Sequence, residues 1–142
     1  MEDDASISLG CLKIWISDRQ FPDSSDYWDG NWLLATAVCQ GTGSRIEVSG
    51  PFVHLSEFKK WKADLEEFNL TLKGSVSLPA MEPTLGIKIE ETKSSTGRLH
   101  CEVSLSGDHI SEAHNYLFDI DQSYLTGLIG QLATILRAYP LK

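Results

Sequence analysis

Four histidines, three cysteines and 20 carboxylates are the side chains of this chain that could ligate a metal, attack a substrate or move a proton. Metal sites need such residues at short recurring spacings. There is no Cys-x-x-Cys and no His-Glu-x-x-His, and His54, His100, His109 and His114 follow no ligand pattern. Asp119-Ile120-Asp121-Gln122-Ser123 begins like a calcium loop, but Tyr124 stands where that loop needs Gly and Gly130 where it needs Glu. The expectation is no metal and no cofactor. No Lys follows Gly41-Thr42-Gly43 at phosphate-loop spacing, and there is no Gly-x-Ser-x-Gly elbow. His100 and Cys101 cannot form a dyad, because successive residues of a strand point to opposite faces. Glu82, Glu90 and Glu91 could act as acid and base by residue type alone, yet carboxylates at strand ends usually face water. No catalytic residue is assigned.

One segment stands out for binding. Asp26-Tyr27-Trp28-Asp29-Gly30-Asn31-Trp32 sets three aromatics among carboxylates, where a loop enters an apolar run. Aromatics with a polar handle are favoured at interfaces. The reading is that Trp32 is buried at the start of a strand with Trp28 as its lid. Gly30-Asn31 should form a turn at positive φ, leaving Asp23, Asp26 and Asp29 exposed.

These residues sit in a chain of 142 residues with 12 Lys+Arg against 20 Asp+Glu, a net charge of −8 and a pI near 4.8. That length is expected to form one domain over 1–142, with 1–5 as a disordered tail. It is long enough to bury about 68% of the unfolded surface. Such acidity argues against nucleic acid as a direct partner, since affinity there begins with cations on phosphates, and equally against anionic membranes. The charge is uneven: residues 1–35 hold seven acids and two bases, and the turn-rich stretch 17–29 supplies Asp18, Asp23, Asp26 and Asp29. The opening Met1-Glu2-Asp3-Asp4-Ala5 is the reverse of a basic leader. No apolar run is long enough to span a bilayer. Cys11, Cys39 and Cys101 are odd in number and set in apolar stretches, which reads as reduced thiols in a cytoplasm.

The elements that would position these residues follow from periodicity. Alternation over 7–9 and 12–16, an apolar run over 32–38 and a Gly41-Thr42-Gly43 tip before 45–48 predict strands in hairpins. Gly50-Pro51 should close or bulge the last of them. Phe58, Trp61, Leu65, Phe68 and Leu72 recur every three or four residues and predict a helix over about 56–73, capped by Ser56 and stopped at Gly74. Further strands are expected at 75–78, 85–89, 99–105 and 113–118, with turns at Ser94-Ser95-Thr96-Gly97 and Gly107-Asp108. A last helix is expected over about 121–139, capped by Asp119 or Asp121, and Asp119 with Gln122 has capping-box spacing. Hairpin-length links mean antiparallel pairing. The predicted class is α+β: an antiparallel sheet of about six or seven strands with two helices, each half running strands first and helix last.

Taken together, several segments resemble the WapI-type immunity proteins of bacterial polymorphic toxin systems, also called contact-dependent inhibition systems. They are Asp26–Trp32 entering a strand, Pro51-Phe52-Val53 leading into a helix, and Glu82-Pro83 before a strand. Asp121-Gln122-Ser123-Tyr124-Leu125 then opens a terminal helix that ends at Tyr139-Pro140. Thr126-Gly127 departs from what a helix start would prefer. The resemblance implies a small cytoplasmic protein, not an enzyme, that binds the toxic C-terminal domain of a cognate toxin. For this type that domain is a nuclease acting on RNA. A clustered acidic loop would complement the basic cleft of such a domain and speed association. The expected partner-binding residues are Asp18, Asp23, Asp26 and Asp29, with Glu90, Glu91 and Asp108 as a second set. Monomer and dimer are both compatible with the sequence. Two other classes compete: a small hydrolase-like enzyme using a carboxylate pair, and a regulatory protein-interaction module.

Overall fold

Strand signals followed by one helix, twice over, become two structural halves of the same order in the computed structural model, which describes residues 4–93 and 97–142. The first half is β1 (Ile7–Leu9), β2 (Leu12–Arg19), β3 (Trp32–Gln40), β4 (Arg45–His54) and α1 (Leu55–Thr71). The second is β5 (Ser75–Ser77), β6 (Leu85–Glu91), β7 (Arg98–Leu105), β8 (Asn115–Asp121) and α2 (Ser123–Ala138). Each set of strands forms a four-stranded antiparallel sheet in sequence order. The α+β class and the two helices stand as expected, with eight strands in two sheets among the described residues. Residues 94–96 of the turn expected over 94–97, and the first three residues of the expected tail, lie outside the described residues.

Period-two alternation decides which face of each strand is buried. Ile7, Leu9, Leu12 and Ile14 of the first sheet and Ile87, Ile89, Leu99, Cys101 and Val103 of the second are all almost fully buried. They join Phe58, Trp61 and Leu65 of α1 and Leu125, Leu128 and Leu132 of α2 in one hydrophobic cluster. Each three-residue edge strand is covered by the helix of the other half, β5 by α1 and β1 by α2. The Gln131 side chain accepts a hydrogen bond from the Ser8 amide at 3.1 Å. Short, covered edges resist pairing with other chains.

The two sheets meet at the far end of the first. Gly10 turns β1 into β2 at φ +56°, and a Cβ there would lie 2.2 Å from the Phe118 ring. Both the backbone and the close approach therefore require glycine. The Ser44 and Tyr116 hydroxyls pair at 2.8 Å beside it.

Of the two readings of Gly50-Pro51 the bulge holds: Leu33 pairs with Val53 but Ala35 pairs with Gly50, and the strand runs on to His54. Both helix starts differ from expectation. Helix α1 is capped by His54, not Ser56, and it stops at Thr71, with Leu72 left-handed at φ 54° ahead of Gly74. Helix α2 has no side-chain cap at Gln122. Asp121 instead accepts from the Ser123 amide at 3.1 Å, while Asp119 turns to His100, so no capping box forms between Asp119 and Gln122.

Candidate functional site

The connection from β2 to β3 carries the aromatic and acidic segment, and a set of polar side chains braces it around Asn31, which is fully buried. Its Nδ2 donates to the Tyr27 carbonyl at 2.7 Å, and its Oδ1 accepts from the Lys142 amide at 2.9 Å. Arg19, at the end of β2, donates from Nη1 to the Gly30 carbonyl at 2.7 Å and to Asn31 Oδ1 at 3.2 Å. Its other nitrogen donates to the Pro140 carbonyl. Lys142 Nζ donates to the Pro22 carbonyl at 2.9 Å and to the Ser24 carbonyl. The C-terminal residues thus tie down a loop more than a hundred positions away in sequence.

Aromatic packing finishes the brace. Trp32 is buried as expected, and Trp28 lies across it edge to face at 5.4 Å. His54 is sandwiched there, stacked on Trp28 at 5.1 Å and edge-on to Trp32 at 5.0 Å. The Ser56 amide donates to His54 Nδ1 at 3.2 Å, which assigns the proton to Nε2, and Nε2–H donates to the Trp28 carbonyl at 3.0 Å. Buried and hydrogen-bonded at both nitrogens, His54 is a structural link between the loop and α1. Glu57 completes the capping box, accepting from the His54 amide at 2.9 Å and the Met81 amide at 2.7 Å. Burial pushes its carboxyl above the usual range.

Gly30 lies in a 3-10 turn, Asp29–Asn31, and not at positive φ. Its need is closeness: a Cβ there would stand 2.8 Å from the Ser24 carbonyl oxygen.

What the brace presents is an apolar and acidic surface. Phe21, Tyr27 and Trp28 are each about half exposed. Asp18, Asp23, Asp26 and Asp29 are all exposed on this one connection or at its root. Asp18 accepts from the Arg19 amide at 2.7 Å and Asp26 from the Asp29 amide at 2.8 Å, leaving further oxygen lone pairs to solvent.

Glu90, Glu91 and Asp108 are not brought to that surface by any of these contacts. Glu91 accepts from the Gly74 amide at 2.8 Å. Asp108 binds the Ser111 hydroxyl at 2.8 Å and the Ile110 amide at 3.1 Å, which holds its carboxyl below the usual range. Glu90 belongs to a cluster on the outer face of the second sheet. There it lies directly opposite His100, which lies opposite Asp119 in turn. Sequence spacing gave no signal of that cluster, because its members come from three strands and only the register unites them.

The remaining chemistry is quiet. Cys39 and Cys101 are buried, and burial pushes both thiols up to about 12, far from reactive thiolates. Cys101 points inward while His100 points outward, as strand alternation requires. Glu82 is exposed. Arg98, Asp119 and Asp121 edge a recess of about 330 Å³.

A protein-family model described as the immunity protein WapI-like family matches residues 5–140. No curated protein matches the sequence significantly. Among solved structures, WHY1 from Arabidopsis thaliana is 11% identical, with a TM-score of 0.51 over 94% of this chain and 87% of that one. That likeness is one of fold. The plant transcriptional regulator PBF-2 reaches 0.49 at 12% identity, over 94% of this chain and 79% of that chain. Trypanosoma bruciei MRP1/MRP2 reaches 0.47 at 11% identity, over 97% and 79%.

Proposed function

The chain belongs to the immunity protein WapI-like family, and we propose that it neutralises the C-terminal RNA-cutting domain of a cognate toxin by seating the 20–31 connection in that domain's basic cleft. The protein acts in the cytoplasm, by one-to-one occlusion and without turnover. The observation that carries this reading is the braced loop: half-exposed Phe21, Tyr27 and Trp28 flanked by Asp23, Asp26 and Asp29, held by Arg19, Asn31 and Lys142. A loop ordered before binding loses less entropy on docking. Exposed aromatics are the side chains that most often anchor interfaces, and the surrounding carboxylates favour a cationic partner. Glu91 and Asp108 hold other turns, at Gly74 and at Ile110, whereas four exposed carboxylates share the connection and its root at Asp18, so the connection is the main docking element.

The test is titration of RNA cleavage by the nuclease domain of the cognate toxin. The parent should abolish cleavage at one equivalent. A variant carrying Asp23→Lys and Asp29→Lys should need at least tenfold more protein, with its melting temperature unchanged. Equal inhibition by the two would refute the assignment of this loop.

A further inference from the structure

We propose that the outer face of the second sheet holds a binding site for a divalent first-row transition ion, ligated by His100, Glu90 and Glu102, with Asp119 positioning the imidazole. This goes beyond the docking role and uses a different surface. The three donor atoms lie within 4.8 Å of one another. Glu90 of β6 is directly opposite His100 of β7, and Glu102 stands two residues along β7 on the same face.

The imidazole is already oriented for the task. Its Nδ1 is 3.0 Å from Asp119 Oδ1, so Nδ1–H donates to that carboxylate and the Nε2 side of the ring is turned away from it. A carboxylate behind a ligating histidine fixes the ring and raises its basicity. Nε2 faces Glu102 Oε1 at 3.8 Å, too long for a hydrogen bond. A tetrahedral ion with ligand bonds of about 2.0–2.2 Å holds its donor atoms roughly 3.3–3.6 Å apart. Small side-chain rotations close that difference, and the paired strands need not move. One imidazole with two carboxylates suits zinc, cobalt or manganese better than the thiolate-seeking ions. Three protein ligands leave an open position toward solvent. The competing cation is Lys88, whose Nζ is 3.4 Å from Glu90 Oε2, and Arg98 lies on the same face of β7.

Zn²⁺ titrated by calorimetry, and Co²⁺ followed by its visible absorption, test the site on the full chain after chelation and dialysis. One saturable ion per chain is expected, with a histidine-containing cobalt spectrum. His100→Ala should remove that binding, and Asp119→Asn should weaken it by about 10- to 100-fold while still leaving the spectrum recognisable. Lys88→Met should tighten it by removing the competitor. The melting temperature of each metal-free variant should equal the parent's, which separates ligation from folding. No saturable uptake of either ion, or uptake unchanged in His100→Ala and therefore owed to His109 or His114, would overturn the proposal.

Discussion

The two halves run the same order, four antiparallel strands and a helix, and they part company where the strands turn and where the helices begin. In the first half β2 and β3 are joined by the twelve residues 20–31, whose backbone is held by Arg19, Asn31 and Lys142. In the second half the longest link is 106–114, where Asp108 secures its own turn. The helices differ in the same sense. Helix α1 starts in a buried capping box built by His54 and Glu57, whereas α2 starts without a side-chain cap and carries Gly127 and Gly130. A shared body thus tolerates very different ends. The docking loop proposed above lies where the chain departs from the common pattern, as expected when loops on a rigid scaffold carry function.

Mutations can sharpen that contrast, beginning with the largest effect. Trp61 is fully buried in α1, so Trp61→Ala should cost about 3–5 kcal/mol in denaturant unfolding. Glycines should then split by half. Gly30→Ala forces a Cβ against the Ser24 carbonyl; overpacking of this kind should cost about 1–3 kcal/mol and weaken toxin binding. Gly127→Ala and Gly130→Ala face open space. Each should stabilise α2 by about 1 kcal/mol, read as a raised melting temperature. A destabilising Gly127→Ala would mean that α2 is not held by packing on its buried stripe alone.

The buried cap of α1 should also show in pH dependence. Burial raises the Glu57 pKa above its ordinary 4.5, so the folded state favours the protonated carboxyl. Its contribution is therefore full below 4.5 and is lost as pH rises through the folded value. Glu57→Gln should remove that component. The stability of the parent relative to the variant should fall across this window, measured by chemical unfolding at stepped pH. A difference that rises with pH would contradict the assigned burial. The smallest effect belongs to the exposed Lys60–Asp64 pair at 2.9 Å, where Asp64→Asn should cost about 0.3–0.5 kcal/mol at low salt.

Local periodicity made much of this fold legible. Phe58, Trp61, Leu65 and Phe68 recur at helical spacing and all are buried, and the Gly41–Gly43 hairpin closes with the Gly41 amide donating to the Ser44 carbonyl at 2.9 Å. What escaped was tertiary. His54 caps α1 because Trp28 and Trp32 enclose it, a contact that residue preferences for caps do not encode. Gly30 is required by Ser24, six residues away, rather than by its own dihedral angles. The acidic connection was visible in composition, but its fastening by Lys142 was not, since nothing local links the two. The His100 cluster depends on the register of three strands.

The central claim is that a preorganised, negatively charged aromatic loop recognises a cationic toxin domain, and association kinetics across ionic strength address it most directly. Stopped-flow mixing of the parent with the toxin's nuclease domain should give a rate constant that falls steeply as salt rises, because steering between opposite charges is screened. In the Asp23→Lys, Asp29→Lys variant it should be slower at low salt and nearly flat. Identical rates and identical salt slopes for the two proteins would contradict the account.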